Sequence, residues 1–149
     1  MVAPTELYIN VIENLIPFNK LLNIQLVEIR EGFAKLKVPF KPELIGDPRR
    51  QAIHGGVIST LMDTAGGAAG MTTLVSFEDA LSTIDIRVDY LRPAKAMDLV
   101  VESEIVRSGN RIIVTRMIAY QEDIKQPIAE GKGVYNVKRH AKEHKTSNQ

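Results

Sequence analysis

The stretch from about Gly55 to Leu74 is apolar or small at nearly every position, lacks proline, and carries one charge, Asp63. Its spacing predicts a long helix. Val57, Ile58, Leu61, Met62, Ala65, Ala68 and Ala69 form one broad apolar face, and Ser59, Thr60, Asp63, Thr64 and Gly67 form a second stripe of small or polar side chains. Gly66, Gly67 and Gly70 each cost about 1 kcal/mol against alanine in a helix. Such glycines have a use where another element packs closely against the backbone. One helix this apolar needs a surface wide enough to wrap it.

The rest of the chain supplies that surface. Ile24, Leu26, Ala34, Leu36, Val38 and Phe40 alternate with polar residues, with a turn at Glu31-Gly32. Ile84, Ile86, Val88 and Tyr90 alternate with Thr83, Asp85, Arg87 and Asp89. Leu99 to Arg107 and Arg111 to Tyr120 read as strands joined by Ser108-Gly109-Asn110, a good hairpin loop. Ile128 to Lys138 reads as the last strand, where Gly131 and Gly133 invite a bulge or bend. At the N-terminus Leu7, Val11, Leu15 and Phe18 recur at helical spacing, with Thr5 as N-cap and Pro17 at the helix end or edge. Lys41 to Ile53, with Pro42, Gly46 and Pro48, reads as a loop. The order is helix, two strands, long helix, four strands. Strands joined by hairpins make an antiparallel sheet, so the fold class is α+β.

Length and composition narrow the function. At 149 residues the chain is expected to be one domain over residues 1–137, followed by a basic polar tail at 138–149. A formal net charge of +1 gives no reason to expect nucleic acid. The absence of cysteine excludes disulfides, a thiol nucleophile and a cysteine-based metal site. Met1 to Leu15 lacks the pattern of a signal peptide, and no apolar stretch approaches 18 residues, so the expectation is a cytoplasmic protein with no membrane partner. No Gly-x-Ser-x-Gly elbow, phosphate-cradling glycine loop or His-Glu-x-x-His is present. His54, His140 and His144 make no convincing metal set.

The chemistry concentrates at Ile53-His54-Gly55-Gly56-Val57-Ile58-Ser59-Thr60-Leu61-Met62-Asp63. A His-Gly-Gly turn before a helix offers free N–H groups at the positive end of a dipole. A carboxylate two turns later, among apolar neighbours, is costly unless it has a partner or a job. Together these read as the halves of an acyl-transfer site, one to hold a carbonyl oxygen and one to drive attack. An N–H aimed at a developing oxyanion is worth about 2.7–4 kcal/mol. Asp63 lies eight residues beyond Gly55, or about 12 Å along the helix axis. One chain cannot bring both to one carbonyl; if both act on one substrate, the Asp must come from a two-fold-related copy.

Two stretches carry a resemblance: His54-Gly55-Gly56-x-x-x-x-Leu61-x-Asp63 and Thr83-x-Asp85-x-x-Val88-x-Tyr90-Leu91-Arg92-Pro93-Ala94. With the element order from about Leu7 to Val137, they resemble the hotdog-fold thioesterases, in particular the PaaI-like group of phenylacetate degradation. The resemblance implies a long helix wrapped by a roughly six-stranded antiparallel sheet. It implies a homodimer, often paired into a tetramer, that hydrolyses acyl-CoA with no metal or organic cofactor. It assigns carbonyl polarisation to the Gly55 N–H, catalysis to Asp63, orientation of water or carboxylate to Thr83, and shaping of the site near the sulfur to His54. The family often has Asn before the His-Gly-Gly turn, where this chain offers Asp47, which cannot donate a hydrogen bond unless protonated. The expected substrate-binding residues are Gly56, Arg49, Arg50, Arg92 and Lys138, the basic ones toward the CoA phosphates. Leu61 and Met62, with Val75 and Phe77, are named toward the acyl group.

Each motif also has a plainer reading. Asp63 can be a surface carboxylate, His54 a cap, Gly55-Gly56 a tight turn, Thr83 an ordinary strand residue and Asp47 a turn residue. Asp63 acts either as nucleophile or as general base on water. Two further functions compete with hydrolysis: acyl-CoA binding without turnover, and a hotdog hydratase or dehydratase using Asp47 with His54.

Overall fold

A computed structural model describes residues 5–140. Eight strands and three α-helices follow one another: α1 (Thr5–Ile9), α2 (Pro17–Leu22), β1 (Gln25–Arg30), β2 (Phe33–Val38), β3 (Ile45–Asp47), β4 (Ala52–Ile53), α3 (Gly55–Met71), β5 (Ala80–Tyr90), β6 (Leu99–Ser108), β7 (Ile112–Tyr120) and β8 (Ala129–Lys138). Six strands form one antiparallel sheet in the order β1-β2-β6-β7-β8-β5, and β3 and β4 form a separate two-stranded ribbon. Helix α3 lies against one face of the large sheet. Its Leu61, Met62, Ala65 and Ala69 meet Ala34 and Leu36 of β2, Leu99 and Val101 of β6, and Met117 and Ala119 of β7 in a single buried core. This is the helix-in-a-sheet arrangement that the resemblance implies.

The N-terminal region is more broken than its periodicity predicts. A π-helical turn (Asn10–Leu15) follows α1, and Pro17 begins a second helix instead of closing the first. Proline suits that first helical position, where its missing N–H is not needed, and it holds the preceding Ile16 extended. The segment packs through Tyr8 and Ile12, and buried Asn19 donates its side-chain N–H to the Ile12 carbonyl at 2.9 Å.

Helix α3 stops at Met71, three residues short of Leu74. The hydroxyls of Thr72 and Thr73 donate to the Ala69 and Gly70 carbonyls at 2.7 and 2.8 Å, capping the end. The following loop is fastened by Asp79. Its carboxylate accepts the His140 N–H at 3.0 Å and the Val75 N–H at 3.1 Å, and pairs with Arg139 at 3.3 Å. Those bonds, that of His140 foremost, hold the Asp79 carboxyl below its ordinary pKa. Lys138 thus ends a strand and Arg139 and His140 are tied down; the rest of the expected tail, with His144, lies outside the described residues.

The bend expected at Gly131 and Gly133 is instead in the neighbouring strand. β8 runs regularly, while β5 shifts register between Thr83, opposite Tyr135, and Asp85, opposite Val134, so Ile84 is the extra residue of a bulge. Gly131 and Gly133 serve close approach: a Cβ on Gly131 would stand 2.6 Å from the Arg87 carbonyl and 2.7 Å from the Met62 methyl. β5 is also an edge strand, with no neighbour on its outer side among the described residues.

Candidate active site

The start of α3 is fixed from three sides. The Ile53 N–H donates to the Ala94 carbonyl at 2.9 Å and the His54 N–H to the Leu44 carbonyl at 2.8 Å. The His54 side chain then caps the helix, its Nδ1 accepting the Gly56 N–H at 2.8 Å. A ring whose Nδ1 accepts carries its hydrogen on Nε2. That cap occupies the Gly56 N–H within the protomer. The Gly55 N–H, one residue earlier, has no hydrogen-bond partner among the described residues. A helix start with one N–H satisfied and the adjacent one open is a site for a carbonyl oxygen or an anion.

Tyr90 of β5 braces the same turn, its hydroxyl donating to the Gly55 carbonyl at 2.9 Å. A Cβ on residue 55 would lie 3.3 Å from the Tyr90 ring, so glycine lets the ring sit against the backbone. Gly55 and Tyr90 line an open cavity of about 380 Å³ with Ile53, Ile58, Leu91, Arg92, Pro93 and Ala94. Arg92 is the one basic residue in that lining, and it is among those expected to meet substrate.

Two turns along α3, Asp63 is half-buried and held by β5 and β8. The Thr83 hydroxyl donates to Asp63 Oδ1 at 2.8 Å. The Tyr135 hydroxyl donates to the Asp63 carbonyl at 2.9 Å and stands 3.4 Å from Oδ1. Thr83 and Tyr135 are directly paired across the two strands and share a face, which is why both reach one carboxylate. The bulge at Ile84 adjoins Thr83, and bulges re-aim the side chains around them. The sequence-predicted pairing of Thr83 with Asp63 is therefore present, and neither residue stands alone on a solvated face.

The other expected site residues are elsewhere or otherwise engaged. Asp47 Oδ1 accepts the Arg49 N–H at 3.0 Å and the Arg50 N–H at 3.4 Å, and its carboxylate lies 3.9 and 3.8 Å from their guanidinium groups. It is a turn residue, with its acceptor capacity directed into its own loop. Arg49 and Arg50 are exposed around that turn and line no part of the cavity beside Gly55. Leu61 and Met62 are fully buried, facing the sheet, so within the protomer neither offers a surface to an acyl group. Val75 and Phe77 stand exposed on the loop after α3. Lys138 lines a separate cavity with Arg111 and Asn136 at the far end of β8. Among the described residues no three His, Asp or Glu side chains are grouped to hold a metal ion, and no helix is long and apolar enough to cross a membrane.

Sequence reasoning missed three contributors. Tyr90 stands in the quoted motif without a role. Tyr135 is preceded on its own strand face by Gly131 and Gly133, a run of vanishing side chains that signals room being made. Gly46 was read only as a loop residue, yet a Cβ there would lie 2.6 Å from His54 Cα and 2.8 Å from its Cβ.

This geometry has relatives. The thioesterase superfamily model matches residues 51–128, the span from the turn before His54 to the start of β8. The chain is 31% identical over 119 residues to the medium/long-chain acyl-CoA thioesterase YigI of Salmonella typhimurium, covering 72% of this chain and 77% of that one. A solved protein of Shewanella oneidensis related to the thioesterase superfamily superimposes with a TM-score of 0.78 at 32% identity, over 89% of this chain and 94% of its own. The Escherichia coli PaaI protein of the phenylacetic acid degradation operon shares the fold, with a TM-score of 0.72 at 22% identity over 81% and 83% of the two chains. A helix-start amide, a braced aspartate and a matching family model spanning both lead to one statement: this chain belongs to the thioesterase superfamily, and its fold is the hotdog fold.

Proposed function

We propose that this protein hydrolyses acyl-CoA thioesters at a site shared by two copies of the chain. The observation that carries the reading is an open Gly55 N–H at the start of the helix that, eight residues on, presents an aspartate fastened by Thr83. The kinship with a relative named as a medium/long-chain acyl-CoA thioesterase supports acyl-CoA as the substrate class.

In this reading the thioester carbonyl oxygen accepts the Gly55 N–H, and the helix start stabilises the negative charge that develops there. Asp63 of the second copy drives the attack. As general base it removes a proton from water as the water oxygen bonds to the acyl carbon; the carbon–sulfur bond then breaks and the CoA thiolate takes up a proton. As nucleophile its own oxygen bonds to the acyl carbon and expels the thiolate, and water then cleaves the anhydride. Either route yields carboxylic acid and free thiol, needs no cofactor, and differs only in where oxygen from labelled water first enters. His54 keeps the helix start in register, and Arg92 borders the cavity through which the CoA arm reaches Gly55.

Two features support the second copy. The separation of Gly55 and Asp63 along one helix is about 12 Å, too far for one carbonyl. β5, which braces both residues, has a free edge, and pairing two such edges extends each sheet into the other. The hydratase reading loses its acid–base pair, since Asp47 is bound to Arg49 and Arg50 and not to His54.

The test is thiol release from acyl-CoAs of short, medium and long chain. Turnover is expected, and Asp63→Asn is expected to lower it by at least about 100-fold while leaving the fold intact by circular dichroism. A folded Asp63→Asn protein as active as the parent refutes the role of Asp63. A parent that binds acyl-CoA and releases no thiol leaves the binding-module reading in its place.

A further inference from the structure

Tyr135 is the largest fully buried side chain among the described residues, 1% exposed, and it ends in a polar group inside the fold. A phenylalanine would fill the same volume with no hydroxyl to satisfy, and burying a hydroxyl is unfavourable unless it is hydrogen-bonded. Two glycines make room for it. A Cβ on Gly66, one turn beyond Asp63, would overlap the hydroxyl, and a Cβ on Gly133 would stand 2.8 Å from it. The space cleared from both helix and strand holds the hydroxyl between the buried Thr115 hydroxyl and the carbonyl and Oδ1 of Asp63.

The Asp63 carbonyl is inside a helix and has its intrahelical partner, so it does not require a second donor. The phenol's one hydrogen is directed at that carbonyl at 2.9 Å, and its longer 3.4 Å approach to Oδ1 sets the carboxylate against its own backbone. Thr83 approaches the same Oδ1 from the opposite strand at 2.8 Å, while Oδ2 has no hydrogen-bond partner among the described residues. The two oxygens are therefore unequal: one held, one presented.

We propose that Tyr135 is a positioning residue that, with Thr83, pins Oδ1 of Asp63 so that Oδ2 is the oxygen offered to the reaction. This inference rests on the thioesterase reading above for its consequence in turnover, and on the geometry alone for the contact itself. Burial, followed by the nearby Asp63 charge, raises the Tyr135 hydroxyl far above its ordinary pKa, so it stays protonated and acts toward the carboxylate only as a donor. A carboxylate held by one oxygen loses the rotational freedom that would otherwise have to be frozen in each turnover.

The experiment compares the parent protein with Tyr135→Phe, alone and combined with Asp63→Asn. Three readouts are needed: kcat and KM on an acyl-CoA that the parent hydrolyses, thermal stability, and the ¹³C carboxyl resonance of Asp63, identified by its loss in Asp63→Asn. In Tyr135→Phe, kcat is expected to fall about 10-fold with KM within about 2-fold, as befits loss of a contact that positions a reacting group without binding substrate. The Asp63 resonance is expected to move, and Tyr135→Phe is expected to add no further loss to Asp63→Asn. The proposal is overturned by a kcat matching the parent, by an equal loss in the Asp63→Asn background, or by an unmoved resonance. If the parent hydrolyses no acyl-CoA, the functional reading fails separately, and the resonance alone decides whether Tyr135 positions Asp63.

Discussion

His54 and Asp63 gain their usefulness from neighbours with little or no side chain. Gly46 passes beneath His54 so closely that any Cβ there would meet the histidine backbone, which cannot yield as a flexible side chain can. Gly46→Ala is accordingly expected to push His54 and the start of α3 away from β3. A displacement of about 1 Å at a reacting centre can lower turnover by up to about 100-fold. The expected outcome is a fall in thiol release larger than any change in melting temperature accounts for. Parent-like kinetics in Gly46→Ala would show that the position of His54 is not set from below. The same logic explains why Asp47 contributes nothing visible to the site: its carboxylate is claimed by the turn in which it sits.

Between elements, α3 is held by β8 through Tyr135 as well as by β5 through Thr83 and Tyr90. Gly66 on the helix and Gly133 on the strand are the two walls of the slot that holds Tyr135. A Cβ on Gly133 would lie 2.6 Å from the Tyr135 ring and 3.0 Å from the Thr115 hydroxyl, both buried and unable to withdraw. Gly133→Ala is expected to destabilise the protein by about 1–3 kcal/mol through overpacking, read from the urea midpoint. It is also expected to lower turnover, because the displaced ring carries the hydroxyl that reaches Asp63. An unchanged midpoint would mean that the strand can shift without cost. The bulge at Ile84 works at this scale too. It shifts the ladder by one residue just where Thr83 must face α3, a departure that alternation along β5 does not announce.

For the molecule as a whole, the free edge of β5 and the spacing along α3 make a single prediction. Ile84, the bulged residue, is 56% exposed on that edge. Charged side chains on an edge strand oppose pairing with another chain. If the site is shared by two copies as proposed, Ile84→Lys is expected to leave only monomers by light scattering and to lower turnover by more than about 10-fold in parallel, because each proposed site would draw on both copies. Monomers that hydrolyse acyl-CoA at the parent rate would refute the shared site.

The amino-acid sequence by itself determined the long helix, the order of the six main-sheet strands along the chain, the helix-start amide and the lone aspartate two turns beyond it, though not the β3–β4 ribbon inside the expected loop from Lys41 to Ile53. Those follow from periodicity and from the rarity of a charge on an apolar helix, both of which are local. Tertiary structure decided which groups meet: that Thr83 and Tyr135 share a face, that Ile84 is bulged, and that Asp47 turns inward on its own loop. These depend on strand register and close approach between distant segments. Whether a glycine is a bend or a cleared space depends on what stands across from it, and that partner lies tens of residues away along the chain.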